Sequence, residues 1–599
     1  AMRNFKRALL AGAIALAVSA PAAAQFSNMF FFGDSSTDAG FYGARFTVNP
    51  GLVWAQDLGA TYGFTIITVA KGGTDFAQGG TNINSPSPLV APGAPDRPLS
   101  TQISELLKIS PSLDSHALYG VSAGYNDIFT NLGAAGAGLI TSAQVQANVA
   151  LAATQLVQQV ARLNAAGAQY LVVFNLYDLG RSPQGIASPT VPYTALVGLF
   201  NSTLNASLNQ APFQVIRVNT AQLFNEIVAN PAFFGFTNVT SPACTTASSL
   251  QCTTSTLVAP NADKTYLFAD SIHPTPAGHA IMAEVVDSMI VGPQQIAALG
   301  EAPFRVEDAN FRALDGRMWS SLNAPRTAKK FDAWVAYDYG SSDTNAGPTS
   351  GSAHENSIVV GLDGKVSERL LIGGMFGYTE NKGDFGGAGG GYTLRLPVFT
   401  FYAGYGEGPW YVGATLGAGG LDYSDVNRNI PLGPSVRNES GETRGYEYTG
   451  RLLGGYWFKL QDLVHGPYAR VTYTKAVVRQ FSETGSDSTA LTYGQQNNEQ
   501  LLWGLGWQVA GAWGGIRPWA RATWEYDSLD KDRTVSAQSV TLGGWYSIPA
   551  AKPDNNYVLF NVGAASDFGG VTGYISGSGT AAKGDGNYWA VTVGLRMPI

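Results

Sequence analysis

Asn28-Met29-Phe30-Phe31-Phe32-Gly33-Asp34-Ser35-Ser36-Thr37-Asp38 sets a short apolar run directly against a polar turn. Such a run bounded by glycine reads as a buried strand. A serine on the turn that leaves a parallel strand presents its hydroxyl at the carboxyl edge of the sheet, where open α/β sheets place their active sites. A lone Gly-Asp-Ser is also an ordinary polar turn, so the surrounding pattern has to decide. Three more apolar runs follow, at residues 115–121, 170–175 and 213–218, with amphipathic stretches between them. The clearest stretch is 141–166, where Val145, Val149, Ala152, Leu156, Val160 and Leu163 recur at three- and four-residue spacing. Continuous apolar strands separated by helices predict an α/β sandwich for the first half, a parallel sheet with helices on both faces.

After Phe331 the helical period vanishes. About twelve segments of roughly ten residues alternate apolar and polar side chains, separated by Gly, Asp and Asn, and ten of the chain's twelve tryptophans lie among them. Weak alternation, short turns and aromatics near strand ends are the signature of a transmembrane β-barrel, although a soluble β-sandwich also alternates. The last segment favours the barrel: Trp589, Val591, Val593, Leu595, Met597 and Ile599 fall on one face of a strand. Between the halves, residues 293–322 mix apolar and charged side chains at helical spacing.

The 599 residues carry a net charge of -7 and no basic patch, which gives nucleic acid nothing to bind. Arg3, Lys6 and Arg7 precede an apolar run from Ala8 to Ala20 and then Ala22-Ala23-Ala24. That order reads as a signal peptide over residues 1–24, too short to span a bilayer as a helix. In an exported chain, Cys244 and Cys252, the two cysteines, predict a short-loop disulfide, with two free thiols the alternative and no histidine near enough in sequence to suggest a metal.

A serine nucleophile needs a base in hydrogen-bond reach and a carboxylate to fix that base's tautomer. Phe268-Ala269-Asp270-Ser271-Ile272-His273-Pro274 offers both from one loop ahead of a helix. The other histidines of the first half, His116 in an apolar run and His279 inside a helix, suit packing or surface roles. Gly124-Tyr125-Asn126-Asp127 follows the second strand and offers an amide donor for an oxyanion, and Phe76-Ala77-Gln78-Gly79-Gly80-Thr81-Asn82 offers a glycine N–H for the same oxygen. A rival is Gly120-Val121-Ser122-Ala123-Gly124, which fits the Gly-x-Ser-x-Gly elbow of α/β-hydrolases. That fold takes its acid and its histidine from separate loops, whereas Asp270 and His273 are neighbours.

In their order, these four blocks resemble the GDSL or SGNH hydrolase family, and the last 300 or so residues resemble autotransporter translocators. Together the chain is similar to the autotransporter esterases. The resemblance implies Ser35 as nucleophile, Asp270 and His273 as its partners, Asn126 as oxyanion donor, and Gly80 as the oxyanion glycine with Gly79 its near alternative. Ser36 stands where the family often has leucine. The chain closes on Met597-Pro598-Ile599 where translocators usually close on an aromatic residue.

The expected organisation is a signal peptide at 1–24, an esterase passenger at 25–292, a linker helix threading the pore at 293–330 and a 12-stranded barrel at 331–599. The expected activity is hydrolysis of acyl or lipid esters at the cell surface. No cofactor is implied, and the expected partners beyond substrate are the outer-membrane bilayer and its assembly machinery. Two other functions stay open: a phospholipase, thioesterase or acetylesterase of the same family, and a non-catalytic, adhesin-like passenger.

Overall fold

In a computed structural model, the chain is described over residues 26–322, 331–344, 350–386, 389–529 and 531–599, so the expected signal peptide lies outside the described residues. Four parallel strands, β1 (Met29–Gly33), β2 (Leu118–Ser122), β3 (Tyr170–Phe174) and β4 (Ile216–Val218), form a sheet in that order. The longer helices are α1 (Trp54–Thr61), α2 (Leu99–Ile109), α3 (Tyr125–Gly136), α4 (Ser142–Ala165), α5 (Tyr193–Asn209), α6 (Thr220–Ala229) and α7 (Pro276–Ser321). A capping box starts α4: the Thr141 hydroxyl accepts from the Gln144 N–H while the Gln144 side chain accepts from the Thr141 N–H. The apolar stripe read from the sequence, Val145 to Leu163, is buried along that helix. The second strand begins later than its apolar run suggests. Asp114 takes the His116 N–H in a turn, which leaves His116 at the surface and outside the sheet.

Twelve antiparallel strands make the barrel, from Phe331–Thr344 round to Tyr588–Pro598, which pairs back onto the first. The ring is completed where Ser435–Tyr456 pairs with Leu463–Val478. On the last strand Trp589, Val591, Val593, Leu595 and Met597 face outward and are exposed, whereas Ala590, Thr592 and Arg596 face inward and are buried. An apolar outer face over a polar lumen suits a ring immersed in lipid, and closure leaves no unpaired strand edge there. Strands reach 23 residues in Trp410–Leu432, so parts of the wall stand beyond the bilayer. There the connecting segments Phe481–Ser482, Leu491–Tyr493, Thr534–Ser539 and Gly543–Pro549 build a small sheet of their own.

The helix α7 leaves the α/β domain and enters the barrel without a break, running through Pro293 and Pro303. Each proline lacks the N–H that would bond the carbonyl four residues earlier, which normally kinks or breaks a helix. Here the barrel supplies the missing donors. The Tyr546 hydroxyl donates to the Met289 carbonyl at 2.7 Å, and the Tyr423 hydroxyl donates to the Leu299 carbonyl. All three groups at each place are buried, so a lost phenol leaves a carbonyl with nothing to accept. Tyr423→Phe and Tyr546→Phe should each lower stability by about 1–3 kcal/mol, read as an earlier loss of helical circular dichroism on heating in detergent.

The passenger also rests on the barrel rim. Glu226 on α6 accepts from Arg437 at 2.8 Å and from the Ser488 N–H and hydroxyl, Asn219 donates to the Thr541 hydroxyl at 2.9 Å, and Glu284 accepts the Gly433 N–H at 2.7 Å. These contacts set the orientation of the sheet, and so of its carboxyl edge, relative to the membrane.

Candidate active site

The carboxyl ends of β1 and β2 carry the first two site elements. β1 ends at Gly33, whose φ of +145° and close approach to the Ser122 carbonyl exclude any side chain, and the turn that follows delivers Ser35. Beyond β2, Gly124 at φ +133° turns the chain into the start of α3 and places Asn126 in its first turn. The loop ahead of α7 brings Asp270 and His273 to the same place.

His273 Nε2 lies 2.8 Å from Ser35 Oγ, and His273 Nδ1 lies 2.9 and 2.8 Å from the two oxygens of Asp270. With Nδ1–H given to the carboxylate, Nε2 is the nitrogen left to accept the serine proton. Asp270 is itself fixed by three backbone N–H groups: Ile272 at 3.0 Å, His273 at 2.8 Å and Ser249 at 2.8 Å. Burial alone would raise the Asp270 carboxyl, but the His273 charge and the hydrogen bonds from His273 and Ser249 outweigh it and hold the group below the usual carboxylate range. It is therefore ionised wherever the histidine is called on as a base.

Ser249 carried no signal in the sequence. It lies in the loop closed by the Cys244–Cys252 disulfide, which packs with Val48 and Ala269 directly behind the acid. The loop's position thus bears on Asp270 through a single N–H.

The groups expected as oxyanion donors differ in what they already bond. The Gly79 N–H is committed to Asp38 at 2.9 Å, whereas neither Gly80 nor Ser35 gives its N–H to an acceptor among the described residues. Asn126 uses one amide hydrogen on the Thr81 carbonyl at 3.1 Å and keeps the other. Ser122, the rival nucleophile, is buried, and among the described residues its hydroxyl bonds the Ser36 hydroxyl at 3.2 Å and no histidine. His279 is fully buried, and burial pushes its imidazole down to about 3, which keeps it neutral and out of proton transfer at neutral pH.

Asp127, beside Asn126, accepts the Ile83 N–H at 3.1 Å, yet burial pushes its carboxyl up to about 7. A folded-state value above the unfolded one near 4 means that ionisation opposes folding, with a penalty that grows from pH 4 to about 7 and then levels off. Asp127→Asn keeps the acceptor without the charge. The variant is expected to match the parent in stability at pH 4 and to exceed it by about 1–3 kcal/mol at pH 8, measured as the urea midpoint for loss of helical circular dichroism.

Ser35, Gly80, Asn126 and His273 open into a cleft of about 930 Å³. Phe46, Phe129, Leu132, Val191, Tyr193 and Leu250 are among its walls, with uncharged polar side chains between them, and among the described residues no Asp, Glu, Lys or Arg lines it. Among the described residues no group of three or more His, Cys, Asp or Glu side chains is arranged to hold a metal ion.

Residues 29–286 match the GDSL-like lipase/acylhydrolase family, and residues 333–578 match the autotransporter beta-domain family. Lipase 1 of Photorhabdus luminescens is 24% identical over 634 residues, covering 92% of this chain and 93% of that protein. Esterase EstA of Pseudomonas aeruginosa is 28% identical over 417 residues, covering 66% of this chain and 63% of that protein. Among solved structures, the translocator domain of autotransporter NalP from Neisseria meningitidis matches with a TM-score of 0.39 at 16% identity, covering 51% of this chain and 99% of that one. The chain belongs to the GDSL-like lipase/acylhydrolases in its first half and to the autotransporter beta-domains in its second, and is an ester-hydrolysing serine hydrolase displayed at the cell surface on an outer-membrane barrel.

Proposed function

We propose that Ser35 is the nucleophile, His273 the general base and then acid, Asp270 the group that orients and stabilises the imidazolium, and that the substrates are uncharged acyl esters. The Ser35–His273–Asp270 relay at 2.8–2.9 Å, opening into a cleft without formal charge among its walls, carries this reading. Ser35 Oγ attacks the ester carbonyl while its proton passes to His273 Nε2. The oxyanion meets the N–H groups of Ser35 and Gly80 and the free amide hydrogen of Asn126. Collapse expels the alcohol, which takes the proton back from His273, and water then repeats the sequence on the acyl-enzyme.

This order of events also divides the cleft. The leaving alcohol must sit beside His273, hence near Phe46 and Leu250, and the acyl chain runs the other way along α3. Gly133 and Gly136, a turn apart on α3, line that wall, and a Cβ at either would meet nothing within 4 Å. Glycine in a helix costs about 1 kcal/mol relative to alanine, and no neighbouring backbone demands it here. Bare helix surface is what an acyl chain lying along it requires.

The chain division into passenger 25–292, linker 293–330 and barrel 331–599 behind a signal peptide at 1–24 belongs to the same reading, supported by the bounds of the two family matches. Insertion of the barrel by the outer-membrane assembly machinery belongs to it as well, supported by the apolar outer face of the last strand.

The test is to treat the full-length protein in detergent with a fluorophosphonate and a series of p-nitrophenyl esters from butyrate to dodecanoate. Loss of turnover with the phosphonyl group on the Ser35 peptide is expected. A label on Ser122, or no turnover on any ester, overturns the reading.

A further inference from the structure

We propose that Tyr42 is a positioning residue for the oxyanion site, holding the Gly79–Gly80 peptide so that the Gly80 N–H faces the reacting carbonyl. This rests on the reading of Ser35 as nucleophile and Gly80 as donor.

Two glycines make the close approach possible and also make it unsafe. A Cβ on Gly79 would lie inside the Phe46 ring, and Gly80 holds φ +84° with the Leu89 carbonyl 2.5 Å from where its Cβ would be. With side chains absent on both sides, neither residue's own φ/ψ preference fixes the plane of the peptide between them. Turned over, it would aim the Gly79 carbonyl, an acceptor, at the developing oxyanion. The neighbouring peptides are pinned, since Gly79 N–H donates to Asp38 at 2.9 Å and the Ser87 hydroxyl donates to the Gly80 carbonyl at 2.5 Å. On the Gly79–Gly80 peptide itself, among the described residues, a single bond does this: the Tyr42 hydroxyl donates to the Gly79 carbonyl at 2.8 Å.

The same bond strengthens the donor. Gln78 Nε2 donates to the Tyr42 hydroxyl at 3.0 Å, so the order is Gln78 amide, Tyr42 hydroxyl, Gly79 carbonyl, Gly80 N–H. Successive hydrogen bonds polarise one another, and an amide whose carbonyl accepts a bond is a better donor at its nitrogen. Tyr42 itself lines the cleft without being needed for proton transfer.

Tyr42→Phe keeps the ring and its edge contacts with Phe41 and Phe46. In the full-length protein, kcat for p-nitrophenyl butyrate is expected to fall about 5- to 30-fold, a part of the 10²–10³ that losing a whole donor costs. KM should stay within about twofold, and affinity for butaneboronic acid, whose adduct on Ser35 is tetrahedral, should fall by the factor seen in kcat. Should the variant melt several degrees early, Gln78→Met, which leaves the phenol and removes its donor, must show the same kcat-only loss at smaller size. A kcat within twofold of the parent, or a rise in KM at unchanged kcat, overturns the proposal. Ester turnover that survives Ser35→Ala would instead remove the nucleophile assignment beneath it.

Discussion

Ser35→Ala is expected to lower ester turnover by about 10⁴–10⁶, while Ser122→Ala should stay within about tenfold of the parent. The two serines stand at the ends of adjacent parallel strands and are both nearly inaccessible to solvent, with 8% and 3% of their surface exposed. Their surroundings separate them. Ser35 has His273 Nε2 at 2.8 Å and unspent N–H groups about it, whereas Ser122 has a hydroxyl neighbour and no base. Because nucleophile, base and acid act as a unit, His273→Ala should cost about as much as Ser35→Ala, and the double variant little more. Asn126→Ala removes one of the three proposed donors and should cost about 10²–10³. The measurement is kcat on p-nitrophenyl butyrate at equal concentrations of protein whose circular dichroism matches the parent. Equal activity of Ser35→Ala and the parent would move the chemistry elsewhere on the sheet edge.

The sequence carried these groups unevenly, for physical reasons. Asp270 and His273 sit three residues apart on one loop, and Ser35 follows a strand directly, so local order alone brings out their chemistry. Alternation along Trp589 to Ile599 likewise showed which face meets lipid, because period two is a property of the strand itself. Pro293 and Pro303 point the other way: read locally, each ends a helix. The helix continues because Tyr546 and Tyr423, far along the chain, donate to the two carbonyls that the prolines orphan. Ser249 and Tyr42 were silent for a related reason, since each acts by one hydrogen bond whose partner is distant or is main chain. The choice between Gly79 and Gly80 was also closed to local reading, because it turns on Asp38 taking one of the two N–H groups. Strands of the barrel exceed the ten or so residues read from alternation wherever they rise above the bilayer, where the apolar face no longer needs to be maintained.

The barrel-threading end of α7 gives the largest expected effect on stability. Arg317, with no exposed surface, donates to Asp332 at 2.7 Å and grips Asp363 with two bonds of 2.5 and 3.0 Å, and Tyr402 donates to the same Asp363 at 2.8 Å. Two residues earlier, Asp315 bridges Arg451 and Arg521, each at 2.6 Å. Charges of this kind add little net stability over an apolar filling, but removing one partner strands the others out of water, which costs about 3–5 kcal/mol. Arg317→Met, which keeps the volume, should therefore loosen the helix in the pore and lower the temperature at which the detergent-solubilised barrel loses its compact migration on a gel by roughly 10 °C. Asp332 keeps Arg596 at 3.6 Å, so adding Asp363→Asn to that variant removes the stranded charge and should restore most of the loss. If Arg317→Met alone melts with the parent, the lumen around Asp363 is wet enough to solvate its carboxylate, and the helix is held by its tyrosine and backbone contacts instead.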